Sequence, residues 1–371
     1  MSILFRSLAL GQLRLENRII IAPMCQYSAI DGNAQDWHTI HLGSLVLSGA
    51  GLLILEATAV SPEGRISPTD LGLYSNDNEQ ALKRVLDAVR KYSDMPLAIQ
   101  LSHAGRKGSS HAPWDGGAQI APNAPTGWKT VAPSSAPHAE GDDAPRALDK
   151  TGLSKVKNNF VLAAQRAERS GLDGIEIHMA HGYLLHQFLS PLSNHRTDEY
   201  GGNLENRLRF PIEIFEAVRA AVSEAMTVWV RISATDWVPG GWDIDGALAL
   251  SKALKERGCA AIHVSSGGVS PKQEIKLAPG YQVSFAERLK TEIGLPIIAV
   301  GLITEAAQAE DILQKGQADA VALARGILYN PRWPWHAAAQ LGAQVNVPKQ
   351  YWRCQPSEFR NLFKDMEIGQ R

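Results

Sequence analysis

Two histidines and a tyrosine lie close together in the segment GIEIHMAHGYLLHQFLSP, which spans residues 174–191. His178, His181 and Tyr183 could serve as zinc ligands, as an acid–base pair, or as polar groups that bind a substrate. The chain enters them directly from an apolar alternation that is typical of a β-strand. Which chemistry applies therefore depends on where this strand lies in the fold and on what surrounds its end.

Eight short apolar runs recur along the chain and predict eight strands. Several runs are almost continuously apolar, as expected of parallel strands that are covered on both faces. Eight β/α units in one chain predict an α/β fold of the (β/α)8 TIM-barrel type rather than a doubly wound sheet. The predicted strands span residues 18–25, 51–60, 96–105, 174–182, 228–236, 261–268, 296–303 and 320–327.

Helices are predicted between these strands. Apolar residues recur at i, i+3 and i+4, the spacing of an amphipathic helix, in segments 78–92, 153–171 and 304–319. Gly171 and Gly316 are predicted to end the second and third of these helices, because glycine readily adopts the left-handed backbone of a helix C-terminus. Thr304 is predicted to cap the N-terminus of the third helix.

The chain is longer than a barrel requires. A TIM barrel takes about 250 residues, whereas this chain has 371. The excess is assigned to an insertion at 106–150 after the third strand, a second at 190–207 after the fourth strand, and a C-terminal extension at 331–371. The two insertions are expected to cover the catalytic face as a lid. Residues 1–371 are expected to form a single domain.

Composition excludes several classes of partner. A formal net charge of −1 provides no field for attracting nucleic acid or an anionic membrane, so a small molecule is the expected partner. The longest apolar stretch is too short to span a bilayer. Three widely spaced cysteines argue against a disulfide framework or a structural zinc site. A cytoplasmic location is therefore expected.

Polar candidates cluster at the carboxyl ends of the predicted strands, where TIM barrels carry their chemistry. Arg231 interrupts the apolar run VWVRIS, and a buried guanidinium needs an anion or several acceptors. Cys25 could simply pack as a small apolar residue, and Gln100 could simply satisfy polar groups of the barrel. His263 is interpreted as a core residue. The other candidates at these ends are Tyr27, Glu56, Ala57, Thr58, His103, His178, His181, Tyr183, Ser265 to Gly268, Gly301 and Arg325.

The last two strands predict a phosphate site. The segments AVGLITEA and ALARGIL bring Gly301, Arg325 and Gly326 to the place where phosphate-binding barrels hold their phosphate. Glycines allow backbone N–H groups to approach phosphate oxygens, and arginine neutralises the charge. With Gln100 at the amide edge of the ring and Arg231 near its N1/O2 atoms, flavin mononucleotide (FMN) fits this arrangement.

Other chemistries are less consistent with the sequence. A Schiff-base aldolase needs a lysine on an inward strand position, and none of the predicted strands contains one. A serine hydrolase would need a G-x-S-x-G motif, which is absent. A metal-dependent barrel hydrolase that uses His178 and His181 remains an alternative, with Asp236 and His263 as further possible ligands. A non-catalytic flavin-binding protein would be distinguished by the absence of turnover.

Several longer motifs together resemble the Old Yellow Enzyme family. They are NRIIIAPMCQYSA, EATAVSPEGR, QLSHAGRK and GIEIHMAHGYLLHQFLSPLSNHRTDEYGGNLENRLRF, and they occur in the family's order along essentially the whole chain. The PMCQYS segment is similar to that of the bacterial, thermophilic-like subgroup of ene reductases and xenobiotic reductases. The resemblance implies an FMN-containing barrel that takes hydride from NADPH or NADH and reduces the C=C bond of α,β-unsaturated carbonyl compounds.

The same resemblance implies roles for individual residues. Contacts with the flavin ring are implied for Pro23, Met24, Cys25, Ala57, Gln100, His178 and Arg231. Contacts with the ribityl-phosphate end are implied for Val300, Gly301, Leu302, Ala324 and Arg325. Ala324 stands where many relatives have glycine.

On the substrate side, His178 and His181 match the pair that binds the carbonyl oxygen, and Tyr183 matches the proton donor. Tyr27 matches a residue that contacts the substrate. Arg353 matches an arginine that enters the site from a neighbouring subunit, although the adjacent Trp352 could share or replace that role. The resemblance therefore implies a homodimer or a homotetramer.

Overall fold

The computed structural model describes residues 2–367, and its centre is a closed barrel of eight parallel strands. The barrel strands are β3 (Ile19–Ile21), β4 (Leu52–Ala59), β5 (Leu97–Ser102), β8 (Gly174–Met179), β9 (Thr227–Ser233), β10 (Ile262–Ser265), β11 (Ile297–Ala299) and β12 (Ala320–Leu323). They pair in this order, and β12 closes the barrel by pairing with β3. The predicted (β/α)8 TIM barrel is confirmed.

Short strand pairs and helices complete the chain. A hairpin of β1 (Leu8–Leu10) and β2 (Leu13–Leu15) precedes the barrel, and β6 (Val131–Ala132) pairs with β7 (Arg146–Ala147) inside the first insertion. The helices are α1 (Asp36–Val46), α2 (Asn76–Arg90), α3 (Lys150–Arg169), α4 (Leu184–Leu189), α5 (Leu204–Ala221), α6 (Ile244–Lys255), α7 (Val283–Ile293), α8 (Ala306–Gln314), α9 (Arg325–Tyr329) and α10 (Trp333–Leu341). No helix within residues 2–367 is both long enough and apolar enough to cross a membrane.

Burial explains the apolar runs. Every residue of β3, β5, β8, β9 and β12 is buried, because side chains on one face fill the barrel and those on the other pack under the helices. Helix α3 shows the complementary pattern. It begins at Asp149, whose carboxylate accepts a hydrogen bond from the Gly152 N–H, and it buries Leu153, Val156 and Phe160 on one face. Gly171, just beyond its end, has a φ of +82°.

The structure corrects two local predictions. Helix α8 begins at Ala306 after Glu305, so Thr304 is not its N-cap. Instead the Thr304 carbonyl accepts a hydrogen bond from Trp333 Nε1 in the turn before the helix. The predicted strand 320–327 ends at Leu323, because Arg325–Tyr329 forms α9. A short apolar run does not by itself distinguish strand from helix.

The first insertion is fastened over the carboxyl ends of the strands. The buried Arg106 guanidinium donates to the carbonyls of Ala136 and Pro137 in the insertion and to that of Val269 after β10. Several residues between 346 and 367 of the C-terminal extension lie at the other end of the barrel. Trp352 shares a groove with Gly49 and Pro96, which precede β4 and β5.

Candidate functional site

His178 and His181 meet at the carboxyl end of β8. His178 Nε2 lies 3.3 Å from His181 Nδ1, and the two rings are perpendicular with centroids 5.0 Å apart. His178 Nδ1 accepts a hydrogen bond from the Ala180 N–H at 3.2 Å, so its own proton must be on Nε2. Burial, together with the nearby Arg231 guanidinium, holds the pKa of both histidines well below the ordinary value. Both imidazoles are therefore neutral at neutral pH.

The backbone of His181 is held in an unusual conformation. Its φ is +59°, a left-handed value that non-glycine residues rarely adopt. The His181 N–H donates to Ser233 Oγ at 3.0 Å, and its carbonyl accepts from Lys107 Nζ at 2.9 Å. Lys107 also donates to the carbonyl of Gly268 at 3.0 Å. Ser233 on β9 and Lys107 in the first insertion therefore fix this turn, and strained backbone of this kind is often found at functional sites.

Tyr183 lies directly beside the histidine pair. Its ring is perpendicular to that of His178, with centroids 4.9 Å apart, and Lys107 Nζ lies 5.2 Å from its ring centroid. Burial raises the pKa of Tyr183 well above its ordinary value, so the phenol keeps its proton at neutral pH. A protonated phenol next to two neutral imidazoles is a suitable donor of one proton.

A buried carboxylate lies beneath this site. Glu176, fully buried on β8, accepts hydrogen bonds from Gln100 Nε2 at 2.6 Å and Trp229 Nε1 at 2.8 Å, and lies 2.7 Å from His263 Nδ1. Burial favours the neutral acid, but His263, Arg231 and Trp229 outweigh it and lower the pKa of Glu176. Burial lowers the pKa of His263, so this histidine is neutral and donates.

This carboxylate also orients Gln100 and balances Arg231. Because an ionised carboxylate only accepts hydrogen bonds, the NH2 group of Gln100 faces Glu176 and its Oε1 remains available. Arg231 is buried on β9, and its Nε has no hydrogen-bond partner among residues 2–367. Burial lowers the pKa of Arg231, and the charge of the Glu176 carboxylate partly offsets this effect, although the two side chains form no direct ion pair and part of the guanidinium remains unpaired.

Cys25 and Tyr27 lie on the loop after β3. Burial, followed by the carboxyl groups of Asp70 and Glu56, raises the pKa of the Cys25 thiol well above its ordinary value. The group is therefore a thiol rather than a reactive thiolate. The Tyr27 ring packs edge-on against Trp114 of the first insertion, with centroids 5.3 Å apart. Tyr27 therefore lies between the barrel and the lid.

A β-bulge aligns Ala57 with Gln100. The pairing of β4 with β5 shifts between Leu55 and Ala57, so that Ala57 lies directly beside Gln100. Bulges commonly redirect side chains near active sites. Pro23 and Met24, which precede Cys25 on the loop after β3, are partly buried.

A cavity of about 160 Å³ lies at the ends of β11 and β12. It is lined in part by Arg231, Ser265, Val300, Gly301, Leu302, Ala324 and Arg325. Gly301 has a φ of +124°, and a Cβ there would lie 2.6 Å from Gln282 Nε2. Arg325 is exposed at the start of α9. Gly301 therefore leaves open backbone beside a cation, as a phosphate site requires.

All predicted site residues except Arg353 lie near the carboxyl ends of barrel strands or in the segments that follow them. That residue is exposed in the short 3-10 helix Lys349–Cys354, and its neighbour Trp352 lines the groove at the amino ends of the strands. Neither side chain reaches the histidine pair of its own chain.

The residues that a metal hydrolase would use are engaged elsewhere. The Asp236 carboxylate accepts hydrogen bonds from Ser190 Oγ and the Trp242 N–H, and His263 donates to Glu176. Within residues 2–367, no three or more His, Cys, Asp or Glu side chains are grouped to hold a metal ion. The hydrolase alternative therefore lacks a ligand set around His178 and His181.

Comparison with known proteins decides the family. Residues 3–344 match the FMN oxidoreductase family described as NADH:flavin oxidoreductase / NADH oxidase. The chain belongs to this family. It is 42% identical to an NADPH dehydrogenase of Geobacillus thermodenitrificans over 95% of this chain and 98% of the relative.

Solved structures agree with that assignment to the Old Yellow Enzyme type. Morphinone reductase in complex with tetrahydroNAD is 31% identical, with a TM-score of 0.74 over 98% of both chains. The old yellow enzyme homologue from Zymomonas mobilis is 26% identical, with a TM-score of 0.74 over 93% of this chain and 94% of that one. The protein is therefore an NAD(P)H-dependent oxidoreductase with FMN as its cofactor.

The site fits FMN on two independent observations. Arg231 presents a buried guanidinium whose Nε is unpaired, and Gly301 and Arg325 line one cavity with it. Gln100 leaves a free amide oxygen at the same face, where the amide edge of a flavin ring would need an acceptor.

Sequence reasoning missed Glu176, Lys107 and Ser233, and it placed Ser265 at a strand end without linking it to His181. The alternation in GIEIHM places Glu176 on the same face as His178, and a carboxylate inside an apolar strand was the available signal. Lys107 lies in an insertion, where no periodicity indicates direction. Ser233 and Ser265 are adjacent in the β9–β10 register, which is not visible from either segment alone.

Proposed function

We propose that this enzyme reduces the C=C bond of α,β-unsaturated carbonyl compounds. The observation that supports this most directly is a pair of neutral imidazoles, with ring nitrogens 3.3 Å apart, beside a protonated phenol. Such a pair suits an oxygen that gains negative charge during a reaction, and the phenol suits a carbon that gains a proton. When bound, FMN supplies the hydride chemistry between the nicotinamide and the alkene.

One set of residues holds the cofactor in this proposal. The flavin ring is bound by Pro23, Met24, Cys25, Ala57, Gln100, His178 and Arg231. The ribityl-phosphate end is bound by Val300, Gly301, Leu302, Ala324 and Arg325. Because its pKa is raised, the Cys25 thiol keeps its proton and does not act as a nucleophile. It packs near the flavin ring and sets the local polarity there.

His178 and His181 bind the carbonyl oxygen of the substrate. Each neutral imidazole contributes one N–H, and two donors that converge on one oxygen stabilise the enolate that forms there. Fixed donors need no reorganisation during the reaction, and the restrained turn at His181 provides that rigidity. Tyr183 then gives its proton to Cα, and Tyr27 contacts the substrate from the lid side.

The C-terminal extension completes the site of another copy. Arg353 is exposed, and its neighbour Trp352 lines a groove at the end of the barrel opposite to their own histidine pair, so this segment is placed to serve a neighbouring subunit. We infer a homodimer or homotetramer of single-domain subunits, in which Arg353 or the adjacent Trp352 borders the partner's substrate pocket. A cytoplasmic enzyme with NADPH or NADH available fits this chemistry.

Anaerobic half-reactions test the role of Tyr183. Tyr183→Phe is expected to slow reoxidation by cyclohexenone by roughly 10²- to 10⁴-fold, the usual contribution of a general acid, while NADPH bleaches the flavin at a normal rate. Tyr200→Phe is the matched control, because the Tyr200 hydroxyl bonds Glu213 away from the site. Equal slowing of both half-reactions would contradict the proton-donor role. Purified protein without flavin absorbance would contradict the whole proposal.

A further inference from the structure

A neutral imidazole carries one N–H, so the function of His181 depends on which ring nitrogen has the proton. His178 Nδ1 accepts a hydrogen bond from the Ala180 N–H, so the His178 proton is on Nε2. For His181 both ring nitrogens have a neighbour. Its Nδ1 faces His178 Nε2 at 3.3 Å, and its Nε2 lies 2.7 Å from Ser265 Oγ.

Ser265 can either donate to His181 or accept from it. The buried hydroxyl lies at the end of β10, and its alternative acceptor, Gln282 Oε1, is 3.4 Å away. That oxygen already accepts a hydrogen bond from Ser266 Oγ at 2.5 Å. The Gln282 amide cannot turn over freely, because its Nε2 donates to the Val300 carbonyl at 3.0 Å. His181 Nε2 is therefore the nearer and less occupied acceptor for the Ser265 proton.

The preferred tautomer depends on whether an oxygen lies between the histidines. Without one, two N–H groups facing each other across 3.3 Å would repel, so His178 Nε2–H donates to His181 Nδ1. The His181 proton is then on Nε2 and donates to Ser265, whose hydroxyl turns to Gln282. With a carbonyl or phenolate oxygen bound, His181 contributes a second donor only if its proton is on Nδ1.

We propose that Ser265 is the positioning residue that selects the Nδ1–H tautomer of His181 when the substrate oxygen binds. Its hydroxyl turns from Gln282 and donates to His181 Nε2, so that His178 Nε2–H and His181 Nδ1–H both donate to one oxygen. The ring loses the proton on Nε2 to solvent water and takes one from solvent water on Nδ1, so one neutral tautomer replaces the other and no charge is created. This inference rests on the proposed function, in which the two histidines bind a carbonyl oxygen.

Nitrogen-15 spectra of the FMN-loaded enzyme, labelled at histidine, test the tautomer directly. The ring nitrogens of His181, assigned by their loss in His181→Asn, are expected to report Nε2–H in the free enzyme. Saturation with 4-chlorophenol, whose oxygen resembles that of the enolate, is expected to move the proton to Nδ1. A proton that stays on Nε2 in the phenol complex would overturn the proposal, and this measurement needs no variant of Ser265.

Phenol affinity provides a second test. Ser265→Ala is expected to weaken 4-chlorophenol binding roughly two- to tenfold, the effect of one neutral hydrogen bond. Ser266→Ala is the matched control, since Ser266 bonds Gln282 but not His181, and it is expected to leave the affinity unchanged. In a His181→Asn background the amide supplies its N–H without tautomeric choice, so Ser265→Ala should have no effect there.

The possible outcomes distinguish a failure of the Ser265 proposal from a failure of the proposed function on which it rests. If replacing both His178 and His181 by alanine leaves phenol affinity intact, the carbonyl-binding role itself is lost. If that double replacement abolishes binding but Ser265→Ala acts equally in the wild-type and His181→Asn backgrounds, only the role of Ser265 is refuted. A loss of FMN affinity with unchanged phenol affinity in the loaded Ser265→Ala enzyme would assign the serine to the cofactor instead.

Discussion

Replacement of Glu176 by glutamine is expected to destabilise the barrel by about 3–5 kcal/mol, because it removes a buried charge that accepts three hydrogen bonds and offsets the charge of Arg231. The exchange preserves shape and volume almost completely, so no cavity is created. What changes is the charge, together with the number of acceptor positions available to the three donors that surround this side chain.

The magnitude follows from the contacts of Glu176. Three donors approach it at 2.6, 2.8 and 2.7 Å, and each bond to a charged acceptor is about 1 kcal/mol stronger than its neutral counterpart. When the acceptor becomes neutral, the weakening of these three hydrogen bonds alone lowers the free energy of unfolding by about 3 kcal/mol. A glutamine can still satisfy Trp229 and His263 through its oxygen, provided that its NH2 group faces Gln100 and the Gln100 amide turns over. The uncompensated Arg231 guanidinium brings the total toward the upper limit.

Equilibrium urea denaturation at neutral pH measures the effect, and a double-mutant cycle with Arg231→Met assigns its cause. In the Arg231→Met background, Glu176→Gln should cost distinctly less, because no buried cation is left unpaired. FMN affinity provides a separate signal, since a reversed Gln100 amide presents NH2 in place of its oxygen. A loss below about 1 kcal/mol, or an equal loss in both backgrounds, would refute the electrostatic interaction of Glu176 with Arg231.

Two further predictions concern the surroundings of the histidines. Gly268→Ala should destabilise the protein and slow alkene reduction, because φ is +96° and a Cβ would lie 2.4 Å from the His181 carbonyl carbon. Gly258→Ala has the same backbone strain at φ +82° but meets nothing within 4 Å, so only the strain of about 1–2 kcal/mol should remain; equal effects on activity would contradict the contact. Iodoacetamide at neutral pH should modify the exposed Cys354 but spare Cys25, whose thiol pKa is raised, as peptide mass spectrometry would show. Labelling of Cys25 as fast as Cys354 would be inconsistent with a protonated, half-buried thiol.

The barrel could be predicted from the sequence because its signals are local. Eight apolar runs separated by amphipathic segments specify parallel strands with helical crossovers, and the order of pairing then follows from the chain. Strand ends were less accurate. Arg325–Tyr329 continues the apolar pattern of β12 but folds as a helix, since Ile327 can reach the core from either conformation.

The immediate chemistry of His178, His181 and Tyr183 was also accessible, because one strand end carries all three. The contacts that hold His181 in place could not be predicted from the sequence. Ser233 and Ser265 come from β9 and β10 and hold different atoms of His181, and each looks like an ordinary buried serine in its own segment. Lys107 reaches the same turn from the lid. Such contacts depend on the register and spacing of several elements at once, which no single stretch of sequence specifies.

The charge distribution of the site suits a reaction in which charge appears only as the bond changes. The His178 and His181 imidazoles are neutral and the Tyr183 phenol is protonated, so the groups proposed to bind the carbonyl oxygen and to protonate Cα carry no full charge. An uncharged enone can enter such a site without displacing a counter-ion. Beneath it, Glu176 offsets the charge of Arg231 on the neighbouring strand. Negative charge that develops on the substrate oxygen then meets two fixed N–H donors, so their contribution is greatest in the transition state rather than in the bound substrate.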